Sequence, residues 1–168
     1  MAMIEKIYGG IEIINLTASV GENSVNLKDD VMVVQAMLKY SLRENPAFSN
    51  FKLPEPTGAM NDQTKTLIKE YQRFLRRKLK GGIAVDGVID RAVGERPFGR
   101  RGEWTIFCLN SQMLEARLLS GGEGNEFEDL CRKFPQLYAV LDNLPVGSLR
   151  LSLEGARRGV GTLNLALE

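Results

Sequence analysis

Apolar residues recur at helical spacing in three stretches between residues 26 and 119. The first stretch runs from Asn26 to about Arg43, and Asn45-Pro46 ends it because the residue before a proline disfavours helix. Asn26 followed three residues later by Asp29 predicts a capping box at its start. We therefore predict a first helix whose inward positions are Leu27, Val31, Val34, Leu38 and Leu42.

The second and third stretches have the clearest helical patterns. The second begins with a cap at Asn61 or Asp62 and ends before Gly81-Gly82. Its apolar face consists of Leu67, Ile68, Tyr71, Phe74, Leu75 and Leu79. The third begins near Trp104-Thr105 and ends before Gly121-Gly122, with inward positions Ile106, Leu109, Met113 and either Ala116 or Arg117.

Both ends of the chain carry strand-like patterns. Residues 11–20 are β-branched and apolar between glycine turns, which predicts a strand. Residues 126–142 have helical spacing, but Pro135 predicts that they form two short helices. Leucines alternate with polar residues at 149–153 and again at 163–167, which is typical of a β-hairpin.

These elements predict an α+β fold made of three segments. Residues 26–120 form a three-helix bundle. An N-terminal strand segment, 1–25, and the hairpin of a C-terminal extension, 121–168, form a small antiparallel sheet. We expect the extension to pack on the bundle, because one apolar face of the hairpin needs cover.

The composition is that of one ordinary soluble domain, with 168 residues, 43% hydrophobic residues and a net charge of +1. The absence of histidine excludes Ser-His-Asp and Cys-His catalysis and His-ligated zinc, and we expect no cofactor or metal. Cys108 and Cys131 have apolar surroundings, which predicts two buried free thiols, with a single disulfide as the alternative. No stretch approaches the roughly 20 apolar residues of a membrane span, and the first residues lack the apolar core of a signal peptide.

Charge is distributed unevenly along the chain. Residues 65–101 contain eleven cationic and four acidic residues, a net charge of +7, so the remaining residues carry −6 of the total of +1. On the second predicted helix, cations align at steps of three and four in a basic stripe of Lys69, Arg73, Arg76, Arg77 and Lys80. Such a stripe is either a solvated face or a surface for anionic ligands.

Short motifs occur in a fixed order along the predicted helices. The first helix contains Asp30-Val31, Val34-Gln35 and Leu38; the loop and second helix contain Gly58, Asn61, Thr64, Ile68 and Tyr71-Gln72; and Asp86-Gly87 precedes Trp104-Thr105. In this order and spacing, residues 26–119 resemble a peptidoglycan-binding-like domain, a small helical bundle often attached to bacterial and phage cell-wall hydrolases. The chain departs from the family's pattern at Asp90, where a glycine is usual, and at residues 91–103, which look like an insertion.

The resemblance implies a non-catalytic module that binds peptidoglycan or its fragments and directs a linked or partner hydrolase to the bacterial wall. It also implies a location in the cell envelope or outside the cell. The motifs and the basic stripe together give the candidate ligand-binding residues Tyr71, Gln72, Arg73, Arg76, Asp86, Arg101 and Trp104.

Several of these motif residues are typical of structural positions rather than of a binding site. Asp30 suits a helix first turn, and Gly58, Thr64 and Gly87 suit turns and helix starts. We expect the side-chain amides of Gln35 and Gln72 to be buried and to hold loops in place rather than to contact a ligand. Tyr71 belongs to the apolar face, so we expect it in the core rather than in a binding site. For Trp104, stacking on a sugar face and packing at the helix start are equal alternatives.

Other functions remain as alternatives. A protein-interaction adaptor would use the basic stripe for an acidic protein, or the C-terminal hairpin, whose open edge would also allow a homodimer. A small wall hydrolase ranks third, since neither Asp86 with Asp90 nor Glu95 with Glu103 stands out as a catalytic pair. No nucleic-acid-binding motif is present in the sequence, and we expect no nucleic-acid partner.

Overall fold

The computed structural model describes residues 2–7, 10–94, 98–99, 102–121 and 125–142. In this part of the chain the fold is mixed α+β. The helices are α1 (Lys28–Leu42), α2 (Asp62–Lys78), α3 (Thr105–Leu119) and α4 (Glu126–Lys133), with 3-10 turns at Pro46–Phe48 and Pro135–Ala139. The strands are β1 (Ala2–Ile7), β2 (Ile11–Asn15), β3 (Val20–Gly21), β4 (Val88–Ile89), β5 (Phe98–Gly99), β6 (Gly102–Glu103) and β7 (Leu141–Asp142).

Helix α1 buries most of its predicted face but is not capped as predicted. The N-cap residue is Leu27, which is exposed and makes no side-chain cap bond. Asn26 instead has a left-handed backbone (φ 54°) and binds the backbone of Gly21 and Ser24 through its carboxamide. A short polar side chain tolerates this conformation, so Asn26 closes the turn before the helix. The buried predicted positions are Val31, Val34, Leu38 and Leu42.

Helix α2 begins with the predicted cap. Asn61 Oδ1 accepts a hydrogen bond from the Thr64 backbone N–H at 2.8 Å, which satisfies a donor that the first turn leaves free. The predicted face is buried at Leu67, Ile68, Tyr71 and Leu75. Leu79 is exposed, contrary to prediction, because the helix ends at Lys78 and the backbone turns left-handed at Lys80 (φ 52°).

Helices α3 and α4 complete the helical core. The predicted inward residues Ile106, Leu109 and Met113 are buried. Pro135 divides the next stretch as predicted, into α4 and a 3-10 turn that starts with the proline. Helix α1 packs against α3 and α4.

The sheet differs from the prediction. The sequence predicts one strand over residues 11–20, whereas β2 ends at Asn15 and pairs antiparallel with β1, which the pattern did not predict. Strand β1 also pairs in parallel with β7, so this sheet is mixed and not purely antiparallel. The predicted C-terminal hairpin belongs to residues 143–168, which lie outside the described residues.

Two buried amides explain where β2 ends and why its outer edge is closed. Asn15 is the last residue of β2, and its carboxamide exchanges hydrogen bonds with the backbone of Ala92 at 2.9 and 3.0 Å. Beside it, Asn110 of α3 accepts from Ile14 N at 2.8 Å and donates to Ile14 O at 2.9 Å. The side chain of Asn110 therefore takes the place of a neighbouring strand on the edge of β2.

Candidate functional site

The motif residues of the first and second helices meet in a buried hydrogen-bond cluster around Gln35. Its Oε1 accepts from the backbone N–H groups of Thr57 and Gly58, each at 3.0 Å. Its Nε2 donates to Ala59 O at 2.9 Å and to Thr64 Oγ1 at 3.0 Å. We call this arrangement an amide clasp: a buried glutamine on one helix holds the following loop and the start of the next helix.

A second amide clasp follows around Gln72. Its Oε1 accepts from the Gly87 N–H at 2.8 Å, and its Nε2 donates to Val88 O at 2.8 Å, to Asp86 Oδ1 at 3.0 Å and, more weakly, to Thr105 Oγ1 at 3.4 Å. The order of glutamine, glycine loop and threonine therefore occurs twice in the fold. The predicted tethering role of both glutamines is confirmed by these contacts.

Each clasp is built around a glycine that no other residue can replace without strain. Gly58 has φ +77° and Gly87 has φ +75°, both in the left-handed region. A Cβ at Gly58 would lie 2.6 Å from Lys28 O, and a Cβ at Gly87 would lie 2.7 Å from Lys69 Cε. The glycines let each loop approach its helix closely enough for the glutamine to bind backbone atoms.

Asp30 acts in the same way on the segment before α1. Its two carboxylate oxygens accept from the backbone N–H groups of Thr17 and Ala18 at 3.0 and 2.9 Å, and the residue is fully buried. This agrees with the predicted scaffold role. Thus the motif residues Asp30, Gln35, Thr64 and Gln72 are committed to internal hydrogen bonds.

Two aromatic candidates lie in or against the core. Tyr71 is fully buried, and burial raises the pKa of its phenol well above the ordinary value, so it stays neutral. Trp104 precedes α3 and packs partly buried against the core, and its buried indole Nε1 has no hydrogen-bond partner in the described ranges of the chain. In this arrangement neither the Tyr71 ring nor the Trp104 N–H reaches solvent to contact a ligand.

The exposed candidates lie together in a basic groove at the C-terminal end of α2. This open groove of about 570 Å³ is lined by Arg73, Arg76, Arg77, Lys80, Gly81 and Val85. The backbone positions it: Lys80 is left-handed, and Gly81 N–H donates to Arg76 O at 2.9 Å, which folds the chain back along the helix end. Four cations therefore face one concave surface.

The cations of the basic stripe differ in their partners. Lys69 pairs with Glu22, and this bond and charge hold the pKa of Glu22 below its usual value. Arg73 pairs with Glu70. Within the part of the chain that the structure describes, Arg76, Arg77 and Lys80 have no carboxylate within ion-pair distance. These three cations are exposed, so they are available to an anionic ligand.

The structure thus divides the predicted site residues into groups. Arg73 and Arg76 share the basic groove, whereas Gln72 and Asp86 bind each other inside the second amide clasp. Arg101 lies outside the described residues. Arg77 and Lys80 belong to the groove although they were not among the candidates; their place in the basic stripe was the signal that would have included them.

The two cysteines are buried, and the acidic residues form no metal-binding cluster in the described part of the chain. Cys108 and Cys131 are buried free thiols, as predicted, and burial raises the pKa of each to about 12. No group of three or more acidic or cysteine side chains that could hold a metal occurs in the described ranges. Among the helices described, none is long and apolar enough to cross a membrane.

Comparison with known proteins adds no relative. No protein-family model, curated protein or solved structure matches this chain.

Proposed function

We propose that this protein is a non-catalytic module that binds bacterial peptidoglycan through the basic groove. The observation that carries the proposal is the convergence of four cations on one concave surface, three of which have no carboxylate partner among the residues that the structure describes. The stem peptides of peptidoglycan end in carboxylates, and guanidinium groups bind carboxylates in pairs of parallel hydrogen bonds.

The two amide clasps also support the proposal, because they are formed by the motif residues on which the resemblance depends. The motifs that resemble a peptidoglycan-binding-like domain are those whose side chains hold the loops to the helices, at Gln35 and Gln72. A helical bundle of this type needs residues that hold its loops in place, and these hydrogen bonds give the two glutamines that role. Binding specificity then falls to exposed residues, chiefly Arg76 and Arg77.

The proposal is tested by co-sedimentation with purified sacculi over a series of salt concentrations. The test variant replaces Arg76, Arg77 and Lys80 by glutamine, which removes charge but keeps long polar side chains. We expect this variant to bind sacculi at least about tenfold more weakly than the parent protein, because it lacks three exposed ionic contacts. Added salt should weaken the binding of the parent protein until it approaches the binding of the variant.

A matched control replaces three exposed cations outside the groove, Lys6, Lys28 and Lys52, by glutamine, so that the net charge changes equally. Binding by this control should resemble that of the parent. Sacculi freed of attached anionic polymers separate recognition of peptidoglycan from recognition of those polymers. Failure of the parent to sediment with either preparation at low salt would refute wall binding.

A protein-interaction adaptor is the second candidate, and exposed leucines on α3 favour it. Leu118 and Leu119 are 64% and 84% exposed, and Leu114 is also exposed. A neighbouring group of exposed leucines is typical of a surface that meets another protein. Binding through these leucines should change little with salt, and this function predicts no binding to sacculi.

A further inference from the structure

The cations of the basic groove form a row along the end of α2. Arg73, Arg76 and Arg77 lie in the last two turns of the helix, and all three are exposed and line the groove. A helix rises about 1.5 Å per residue, so the backbones of Arg73 and Arg77 are about 6 Å apart along its axis. Lys80 follows just past the helix end and lines the same surface. The groove therefore presents several positive charges in sequence to one ligand.

The charge of this row exceeds what its surroundings compensate. Among the described residues that line the groove, none is acidic, and only Arg73 has a carboxylate partner, Glu70. The C-terminal end of a helix carries about half a negative charge, which offsets only a small part of the three remaining cations. A ligand with a single carboxylate would leave most of the positive charge uncompensated. The groove therefore favours a ligand with several anionic groups close together.

The groove also has an uncharged part beside the cations. Gly81 lines it without a side chain, and a Cβ added there would meet no atom within 4 Å, so the space in front of this backbone is open. Val85 adds an apolar side chain to the lining. These two residues give the methyl and methylene groups of a short peptide a surface to lie on while its carboxylates face the cations.

We propose that the basic groove selects among stem peptides by their free carboxylates, and that it prefers those with an unamidated glutamate followed by a diamino diacid. This inference rests on the proposed function, because it names the part of peptidoglycan that the groove holds. Such a stem peptide carries more carboxylates than ammonium groups, whereas a stem with amidated glutamate and lysine is neutral overall. Guanidinium groups bind carboxylates in pairs of parallel hydrogen bonds, so each additional carboxylate adds a contact with Arg76 or Arg77.

The test is an NMR titration of the full chain labelled with ¹⁵N. The two main probes are N-acetyl-L-Ala-γ-D-Glu-meso-diaminopimelyl-D-Ala and N-acetyl-L-Ala-γ-D-isoglutaminyl-L-Lys-D-Ala. At low salt we expect the first peptide to bind about tenfold more tightly, because it adds two ionic contacts, and we expect added salt to reduce this preference. Shifts should appear at the backbone amides of Gly81 and Val85. A glycerol phosphate oligomer of the same net charge as the first peptide should bind more weakly, since it has no methyl group for the uncharged part of the groove.

Two triple variants locate the preference. Replacement of Arg76, Arg77 and Lys80 by glutamine should make the two peptides bind equally weakly, whereas the control with Lys6, Lys28 and Lys52 replaced by glutamine should keep the preference. Equal binding of both peptides by the parent, shifts away from the groove, or tighter binding of the glycerol phosphate oligomer would overturn the selection by carboxylates. If the parent still sediments with sacculi in that case, the proposed function stands without this inference. If it does not, both fail.

Discussion

At the scale of single residues, a few buried polar side chains determine the path of the loops. Gln35 and Gln72 each bind backbone groups of one loop, and Asp30 does the same for the segment before α1. A loop has few apolar side chains to bury, so it depends on such hydrogen bonds for a fixed position. Removing one of these side chains leaves several backbone groups without partners at once.

We predict that Gln35→Met lowers the free energy of unfolding by about 2 to 4 kcal/mol, because it keeps the volume but leaves the Thr57 and Gly58 amides unsatisfied. Urea denaturation measures the effect. Gln136→Met, on an exposed glutamine, is the control and should cost less than about 0.5 kcal/mol. A loss below about 1 kcal/mol for Gln35→Met would show that the loop does not depend on the clasp.

The residue types of the clasps could be predicted from sequence, but the partners of their hydrogen bonds could not. A glutamine inside a helical apolar face indicates a buried amide, and this held for Gln35 and Gln72.

At the scale of elements, two contacts of the Tyr40 side chain join α1 to α4, one through its hydroxyl and one through its ring. The Tyr40 hydroxyl donates to Asp129, and Lys133 lies 4.6 Å from the centre of the Tyr40 ring. Burial alone would raise the pKa of Asp129, but the hydrogen bond from Tyr40 and the ammonium of Lys133 outweigh it, so this pKa is lowered. The charged carboxylate therefore stabilises the junction.

The lowered pKa fixes the direction of a pH effect. Stability from Asp129 is fully present above its ordinary pKa of 3.8 and is lost as the pH falls through the lowered value in the folded protein. We predict that Asp129→Asn costs about 1 kcal/mol at neutral pH and that this difference disappears in acid. Denaturation of both proteins from pH 7 downward measures it.

Asp142→Asn, which changes an exposed aspartate, is the control for general charge effects. A difference between parent and Asp129→Asn that stays constant into acid would contradict the assigned role of the carboxylate. The comparison also identifies the contribution of α4, because the bond of Asp129 reaches across to α1.

The helices were more predictable than the strands because their signals are local. Periodicity and the Asn61 cap fixed α2, whereas strand β1 was missed because its stability comes from β2 and β7, which its own residues do not reveal. The end of β2 depends on Asn15 binding Ala92, a contact 77 residues away in the sequence. Long-range pairing of this kind leaves little pattern in one sequence.

At the scale of the whole molecule, one core includes the sheet and all four described helices. Cys108 on α3 and Cys131 on α4 both belong to this core. A buried thiol with a pKa of about 12 reacts only when the structure around it opens. The labelling rate of each thiol therefore reports how often the structure opens locally, at α3 for Cys108 and at α4 for Cys131.

We predict that both thiols react with a disulfide reagent at the same slow rate, set by unfolding of the whole core. Single-cysteine proteins made by Cys108→Ala and Cys131→Ala measure each rate separately. Urea at the unfolding midpoint should accelerate both rates together. Faster labelling of Cys131 in the native protein would instead show that α4 opens independently of α3.

The two amide clasps also explain how the chain accommodates connections of different length. Thr64 lies six positions after Gly58, whereas Thr105 lies eighteen positions after Gly87. A clasp binds backbone groups at the loop and a threonine at the next helix, so residues between these two anchors are not part of its chemistry. Within the described part of this interval, Ile89 and Ala92 belong to the core, whereas Val93 and Gly94 are exposed. We therefore expect that new sequence can be added after Val93 while the helices keep their arrangement.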